Sequence, residues 1–272
     1  EPSEGSKPVL VDSADRMGLC RQTISGNRFE IDFQSVVSLK GREIHHYEAL
    51  VRFADQRSPF ETITFAENVG LIADFDLAMA RRVLGQMALA RASGNPLIAA
   101  INISGRSLES DDFLNHLLKL LQQHGTLEGQ VLFEVTESAE IKDLAVASRA
   151  IGSLRLAGYP ICLDDFGAGA SAFHYLRALP VDYVKIDGAY IRDVRQSGRD
   201  RPFLKAIVRL CRDLGIASIG EKIEDEPTAE FLTKMGVDYG QGYLFGKPRL
   251  GLPAPKNGKA AGWPDLLSSG IR

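Results

Sequence analysis

Five residues, Ser-Leu-Lys-Gly-Arg at 38–42, separate two stretches rich in β-branched and aromatic side chains, "RFEIDFQSVV" and "EIHHYEALVRF". Both stretches read as strands. A parallel crossover needs a dozen or more residues, so a gap this short forces the first two strands to run antiparallel. The rest of the chain has a different rhythm. After a long helical region, Thr64 to Ala92 with a break near Gly70, strand-like segments alternate with helices. The strands are "LIAAINIS", "QVLFEVTE", "YPICLDD", "VDYVKID", "IASIGEK" and "VDYGQGYL"; the helices include "DLAVASRAIGSLRLAG" and "RPFLKAIVRLCRDLG", each stopped by glycine. Eight strands with helical crossovers predict an α/β fold, a TIM-like (β/α)8 barrel whose first strand is antiparallel. In such a barrel, function sits at the C-terminal ends of the strands.

Polar residues gather at those ends. Glu48 lies toward the end of the second strand, Asn102 in "AAINIS", Glu134 and Glu137 in "LFEVTE", and Asp164 and Asp165 in "LDD". Lys185 follows in "VKID", Glu221 in "GEK" and Gln241 in "GQGYL". A lone acid at a strand end is usually a turn residue. Seven strands each ending this way ask for another explanation.

The stretch "ICLDDFGAGAS" at 161–171 poses the question most sharply. It satisfies G-x-G-x-x-A, with Asp187 twenty residues beyond Gly167, as a dinucleotide fold would. Two aspartates beside a pyrophosphate and a helix cut short by Pro180 argue against that. A turn with two solvated acids explains the stretch by itself but not the other strand ends. A metal site explains both, because carboxylates crowded in a low-dielectric mouth repel unless cations neutralise them. Oxygen ligands from Glu48, Asn102, Glu134, Asp164 and Asp165 suit Mg²⁺ or Mn²⁺ better than zinc, and adjacent aspartates can serve two ions. Lys185, flanked by Val184 and Ile186, needs carboxylates or bound water around its ammonium if the strand is buried. Arg52 offers a planar fork to a phosphodiester. His45 and His46 alternate faces, so both cannot reach one ion, and the other histidines sit in helix-like segments as ordinary satisfied or solvated residues.

Composition excludes several classes. The chain has 272 residues, 44% of them hydrophobic and 25% charged, with a net charge of 32 minus 35, or -3. That is the make-up of an ordinary globular protein, and no basic stripe suggests a nucleic-acid polymer as partner. Apolar runs such as Leu97 to Ile101 fall far short of the ~20 residues that cross a bilayer, so the chain is expected to be cytoplasmic. Cys20, Cys162 and Cys211 are widely spaced, without a C-x-x-C pair, and read as reduced buried thiols. Residues 1–26 are polar and punctuated and are expected to form a linker from an upstream domain; 27–249 form the barrel, and 250–272 a tail.

In order and approximate spacing, "YEALVRF", "INIS", "FEVTES", "LDDFGAG", "VDYVKIDG" and "QGYLFGKP" resemble the EAL-domain cyclic di-GMP phosphodiesterases over about residues 28–248. The resemblance implies hydrolysis of cyclic di-GMP to linear pGpG by in-line attack of a metal-bound water, with two Mg²⁺ or Mn²⁺ ions per active site. It implies that Glu48, Asn102, Glu134 and Asp164 hold one ion and that Asp164 and Asp165 hold the other. Lys185 would orient or help deprotonate the water, Glu221 and Gln241 would support the second ion and its waters, and Glu137 and Glu224 would act behind them. Arg52 would meet a substrate phosphate, and Gln34 and Leu50, with Gln241, would line the nucleotide site. The family analogy also implies a homodimer, a regulatory domain upstream, and a cytoplasmic location that membrane tethering elsewhere in the protein would not change. Ala168, Ala170 and Ala172 stand where the family usually has Thr, Tyr and Ser, Lys222 where it has glycine, and Ser35 where it has proline. The alternative implied by such departures is a catalytically weak or silent EAL domain acting as a cyclic di-GMP receptor or protein-interaction module.

Overall fold

The five-residue gap closes an antiparallel hairpin. The structure, a computed structural model, describes residues 17–26, 28–53, 58–136, 141–167, 172–196 and 201–251. Strand β1 (Phe29–Ser38) pairs antiparallel with β2 (Ile44–Phe53) along nearly its full length, from Phe29 opposite Phe53 to Val37 opposite Ile44. From β2 onward every neighbouring pair is parallel through β3 (Ala99–Ile103), β4 (Val131–Thr136), β5 (Ile161–Phe166), β6 (Tyr183–Ile186), β7 (Ala217–Gly220) and β8 (Tyr239–Gln241). Strand β8 returns to β1 antiparallel, with Val36 opposite Gln241, and closes the barrel. A short β9 (Arg249–Leu250) adds to β1 where β8 leaves off.

Helices fill the crossovers, including the three helical regions named from the sequence. A first helix, α1, covers 17–25; then come α2 (Pro59–Asn68), α3 (Ile72–Ala92), α4 (Asp111–Gln123), α5 (Leu144–Leu156), α6 (Ala172–Ala178), α7 (Gly188–Gln196), α8 (Arg201–Asp213) and α9 (Glu226–Met235). Gly70, at a φ of 74°, makes the break between α2 and α3. Asp143 accepts the Ala145 and Val146 N–H groups and Asp225 that of Thr228, which starts α5 and α9 where orphan donors need a partner. With helices outside and side chains filling the barrel inside, strands such as β4 and β6 are buried on both faces, which explains their nearly unbroken apolar runs.

Two expectations about the ends of the chain change. Residues 17–25, expected to be linker, form a helix that buries Cys20, which shares a small cavity lining with Phe53, Ala66 and Phe75. Leu250, expected to open the tail, pairs with Asp32 in the sheet. Among the described residues no helix is long and apolar enough to cross a membrane.

Candidate active site

Inward-facing residues of a strand recur every second position, and in this barrel the last inward position of most strands is polar. Glu48, Glu134, Asp164, Lys185, Glu221 and Gln241 are all buried, and Asn102 is half-buried beside Glu48. The Lys185 ammonium sits at their centre. It donates to Glu48 Oε2 and Glu134 Oε2 at 3.2 Å each and lies 3.3 Å from Asp164 Oδ1 and 3.0 Å from Glu221 Oε1. Asn102 Nδ2 donates to Glu48 Oε1 at 3.0 Å, and Gln241 Nε2 donates to Glu48 Oε2 at 2.6 Å and to Gln34 Oε1 at 3.2 Å.

Asp164 and Asp165 are adjacent, so in a regular strand they would face opposite ways. They do not. Asp165 has a φ of 57°, and the β5–β6 register slips between Leu163 and Phe166. This bulge lets both carboxylates reach the mouth, as bulges beside functional sites often do. Left-handed backbone at a non-glycine residue costs on the order of 1 kcal/mol or more, which the surrounding structure has to offset.

Two groups of carboxylates result, sharing Asp164: Glu48, Glu134 and Asp164 in one, and Asp164, Asp165 and Glu221 in the other, each with one oxygen apiece within 4.8 Å of the rest. Their protonation reflects the crowding. Burial pushes Glu134 well above the usual carboxylate range, and Glu48 and Asp164 nearby add to the rise against the pull of Lys185. Burial likewise lifts Glu221 to about 8 and, with Asp164 beside it, Asp165 to about 6. Burial also opposes charge on Glu48, yet Lys185, Gln241 and Asn102 together hold its pKa below the ordinary value. Burial would strip the proton from Lys185, but Asp164, Glu134, Glu48 and Glu221 hold its pKa well above normal. One ammonium is too little charge for this many acids, so the cluster either keeps protons or takes cations. Glu134 Oε1 is buried with no hydrogen-bond partner, an acceptor left available inside the first group. All-oxygen donors of this kind fit hard divalent cations such as Mg²⁺ or Mn²⁺.

The other candidates fall around this centre. Gln34 is buried, donates to the Gly246 carbonyl and accepts from Gln241. Glu224 lines the mouth with Leu50, Lys222 and Tyr243, in a cavity of about 360 Å³. Leu50 also lines a second, mostly apolar cavity of about 220 Å³ together with Arg52, Phe75, Asp76, Met79 and Asn102. Arg52 is half exposed, and its Nε donates to Asp32 Oδ2 at 2.6 Å. Glu137 and the loop 168–171, with Ala168 and Ala170, lie outside the described residues; Ala172 opens α6.

Sequence reasoning missed three partners. Asp32 orients Arg52; the cross-strand pairing of β1 with β2 was the available signal. Asp76 on α3 accepts from Ser104 N–H at 2.8 Å and from the Ser107 hydroxyl at 2.6 Å, a long-range contact with no local mark in the sequence. Asp187 accepts from Lys222 Nζ at 2.8 Å across two loops. The histidines also surprise. A register shift in the β1–β2 pairing brings the His45 and His46 rings together, with their Nδ1 atoms 2.7 Å apart, and His46 Nε2 lies 3.9 Å from Glu134 Oε1. Burial lowers the pKa of both imidazoles, so they add no charge below the acids.

Comparisons with known proteins point to one family. The EAL domain family model matches residues 19–248. The chain is 30% identical over 233 residues to cyclic di-GMP phosphodiesterase PdeB of Shewanella oneidensis, and 31% identical over 232 residues to cyclic di-GMP phosphodiesterase PdeR of Escherichia coli K12. Each alignment covers 84% of the chain but only 27% and 35% of those relatives, so the chain spans about a third or less of their length. Among solved structures, the PaMucR phosphodiesterase in complex with c-di-GMP superposes with a TM-score of 0.77 at 28% identity, over 86% of this chain and 97% of that one.

Proposed function

The chain belongs to the EAL-domain family, and from that premise we propose that it is a phosphodiesterase that hydrolyses cyclic di-GMP to linear pGpG with two divalent cations, Mg²⁺ or Mn²⁺. The observation that carries the reading is the pair of carboxylate groups sharing Asp164 around one buried ammonium. Glu48, Glu134 and Asp164, with the amide oxygen of Asn102, would hold one cation; Asp164, Asp165 and Glu221 would hold the other. When bound, such a pair supplies positive charge to both oxygens of an in-line displacement at phosphorus and lowers the pKa of the attacking water.

The chain's own residues do the rest. Lys185, held among four carboxylates, fixes them in place and would orient or help deprotonate the attacking water. Gln241, bonded to both Glu48 and Gln34, sets the Glu48 carboxylate and supports substrate binding through Gln34. Arg52 keeps its terminal nitrogens for a phosphate while Asp32 holds its Nε, and a bidentate fork suits that anion. Leu50 stands between the mouth and the apolar cavity, so an extended dinucleotide can place its scissile phosphate over the acids and a base beside Phe75 and Met79. Glu224, which lines the mouth, would act at the rim, and Glu137 would support the acids that hold the cations. We place this barrel in the cytoplasm, as one module of a longer protein, in keeping with the share of its relatives that it spans.

Incubation with cyclic di-GMP and Mg²⁺ or Mn²⁺, followed by chromatography, should yield pGpG, and EDTA should stop the reaction. Binding of cyclic di-GMP without turnover, under conditions where a known phosphodiesterase works, would overturn the hydrolase reading in favour of a receptor.

A further inference from the structure

Lys222 follows Glu221 directly, at a φ of 52°, in the left-handed region that an L side chain adopts at a cost. Its side chain is well placed in spite of that. The stem lies flat on Gly188, where a Cβ would collide with Cβ, Cγ and Cδ of Lys222, and Nζ reaches Asp187 Oδ2 at 2.8 Å. Asp187 is itself fixed, because it accepts the Ala189 N–H at 2.8 Å in the first turn of α7. The half-exposed ammonium therefore stands at the rim of the mouth, in the lining that also contains Asp164 and Glu221. The charges of Lys222 and Asp187 both act on Asp165, in opposite directions.

We propose that Lys222, tethered on Asp187, is a built-in counter-charge that sets the cation affinity of the Asp164–Asp165–Glu221 group, making it the weaker of the two cation sites. The proposal rests on the two-cation reading above. A fixed positive charge beside a site repels a divalent cation, and a fixed negative one attracts it; solvent at the rim reduces both effects without changing their sign. The cation at this group is then the one lost first when free cation falls, which would make turnover respond to cation supply while the Glu48–Glu134–Asp164 group stays filled.

Calorimetric titration of Mn²⁺ into the whole chain tests this through binding, independent of turnover. Lys222→Gln should tighten the weaker Mn²⁺ site by roughly three- to tenfold, and Asp187→Asn should weaken it by about as much, because the side-chain oxygen still caps α7 while the ammonium loses its partner. Lys222→Arg, which keeps the charge, should leave both affinities as they are. A merely structural tie between the two loops would move Lys222→Gln and Asp187→Asn in the same direction, and that result, or no change in either, would overturn the proposal. Two Mn²⁺ in the unaltered chain with unresponsive variants leaves the two-cation reading standing; fewer than two overturns both.

Discussion

Inside the barrel, two layers lie one above the other on the same strands. The lower holds Val36, Ala100, Leu132, Cys162, Tyr183 and Ile219, an apolar cluster of its own. Two residues further along β3 to β6, and just past the end of β7, the same inward direction carries Asn102, Glu134, Asp164, Lys185 and Glu221. Geometry is therefore common to both layers, and only chemistry separates them. The lower layer is filled by matching volumes; the upper is held by one ammonium among carboxylates that burial makes reluctant to ionise. One layer closes the core, and the other is tenable where its acids keep protons or share a cation.

The largest effect comes from emptying the upper layer. Asp164→Ala removes the oxygen donor common to both carboxylate groups and should abolish turnover, a loss of about 10³-fold or more, while circular dichroism shows an intact fold. Glu48→Ala should do the same. A rate left unchanged in either would break the contrast between the layers. In the lower layer the sign is reversed. Leu132→Ala, at a position with no exposure, should cost about 2–5 kcal/mol of stability in denaturant titrations, with the Mn²⁺ stoichiometry of the folded protein unaltered.

A smaller effect sharpens what makes a buried acid tenable. Asp76 lies outside the barrel interior, with hydroxyl and amide donors in place of an ammonium, and burial lifts its pKa from 3.8 to about 7. The folded chain thus holds this proton more tightly than the unfolded chain. Its stabilising contribution is complete below pH 3.8 and is lost as pH climbs through about 7. Asp76→Asn should flatten that fall, by up to roughly 3–4 kcal/mol between pH 4 and 7 relative to the unaltered chain. Parallel pH profiles for the two proteins would mean that the hydrogen bonds of Ser104 and Ser107, rather than burial, dominate at this site.

Much of the site was legible because a barrel obeys simple periodicities. The Ser38–Arg42 gap was too short for a crossover, which settled the antiparallel start, and strand ends are where such a fold places polar groups. Asp32 and Asp187 were not legible, because each acts through a partner brought near only by the sheet or by two loops meeting. His45 and His46 show the same limit. Alternation put them on opposite faces, and the register shift put their rings in contact.

By itself, then, the order of residues determined the alternation of strands and helices, the hairpin, and the acids and single lysine at the strand ends, because these follow from chain length and local periodicity. Only the tertiary structure decided that Asp164 and Asp165 face the same way, that Lys185 has four carboxylates around it, and that Lys222 rests on Asp187. The physical reason is that a bulge is a property of two paired strands, and an electrostatic neighbourhood is a property of a closed barrel, so neither is encoded in any one segment.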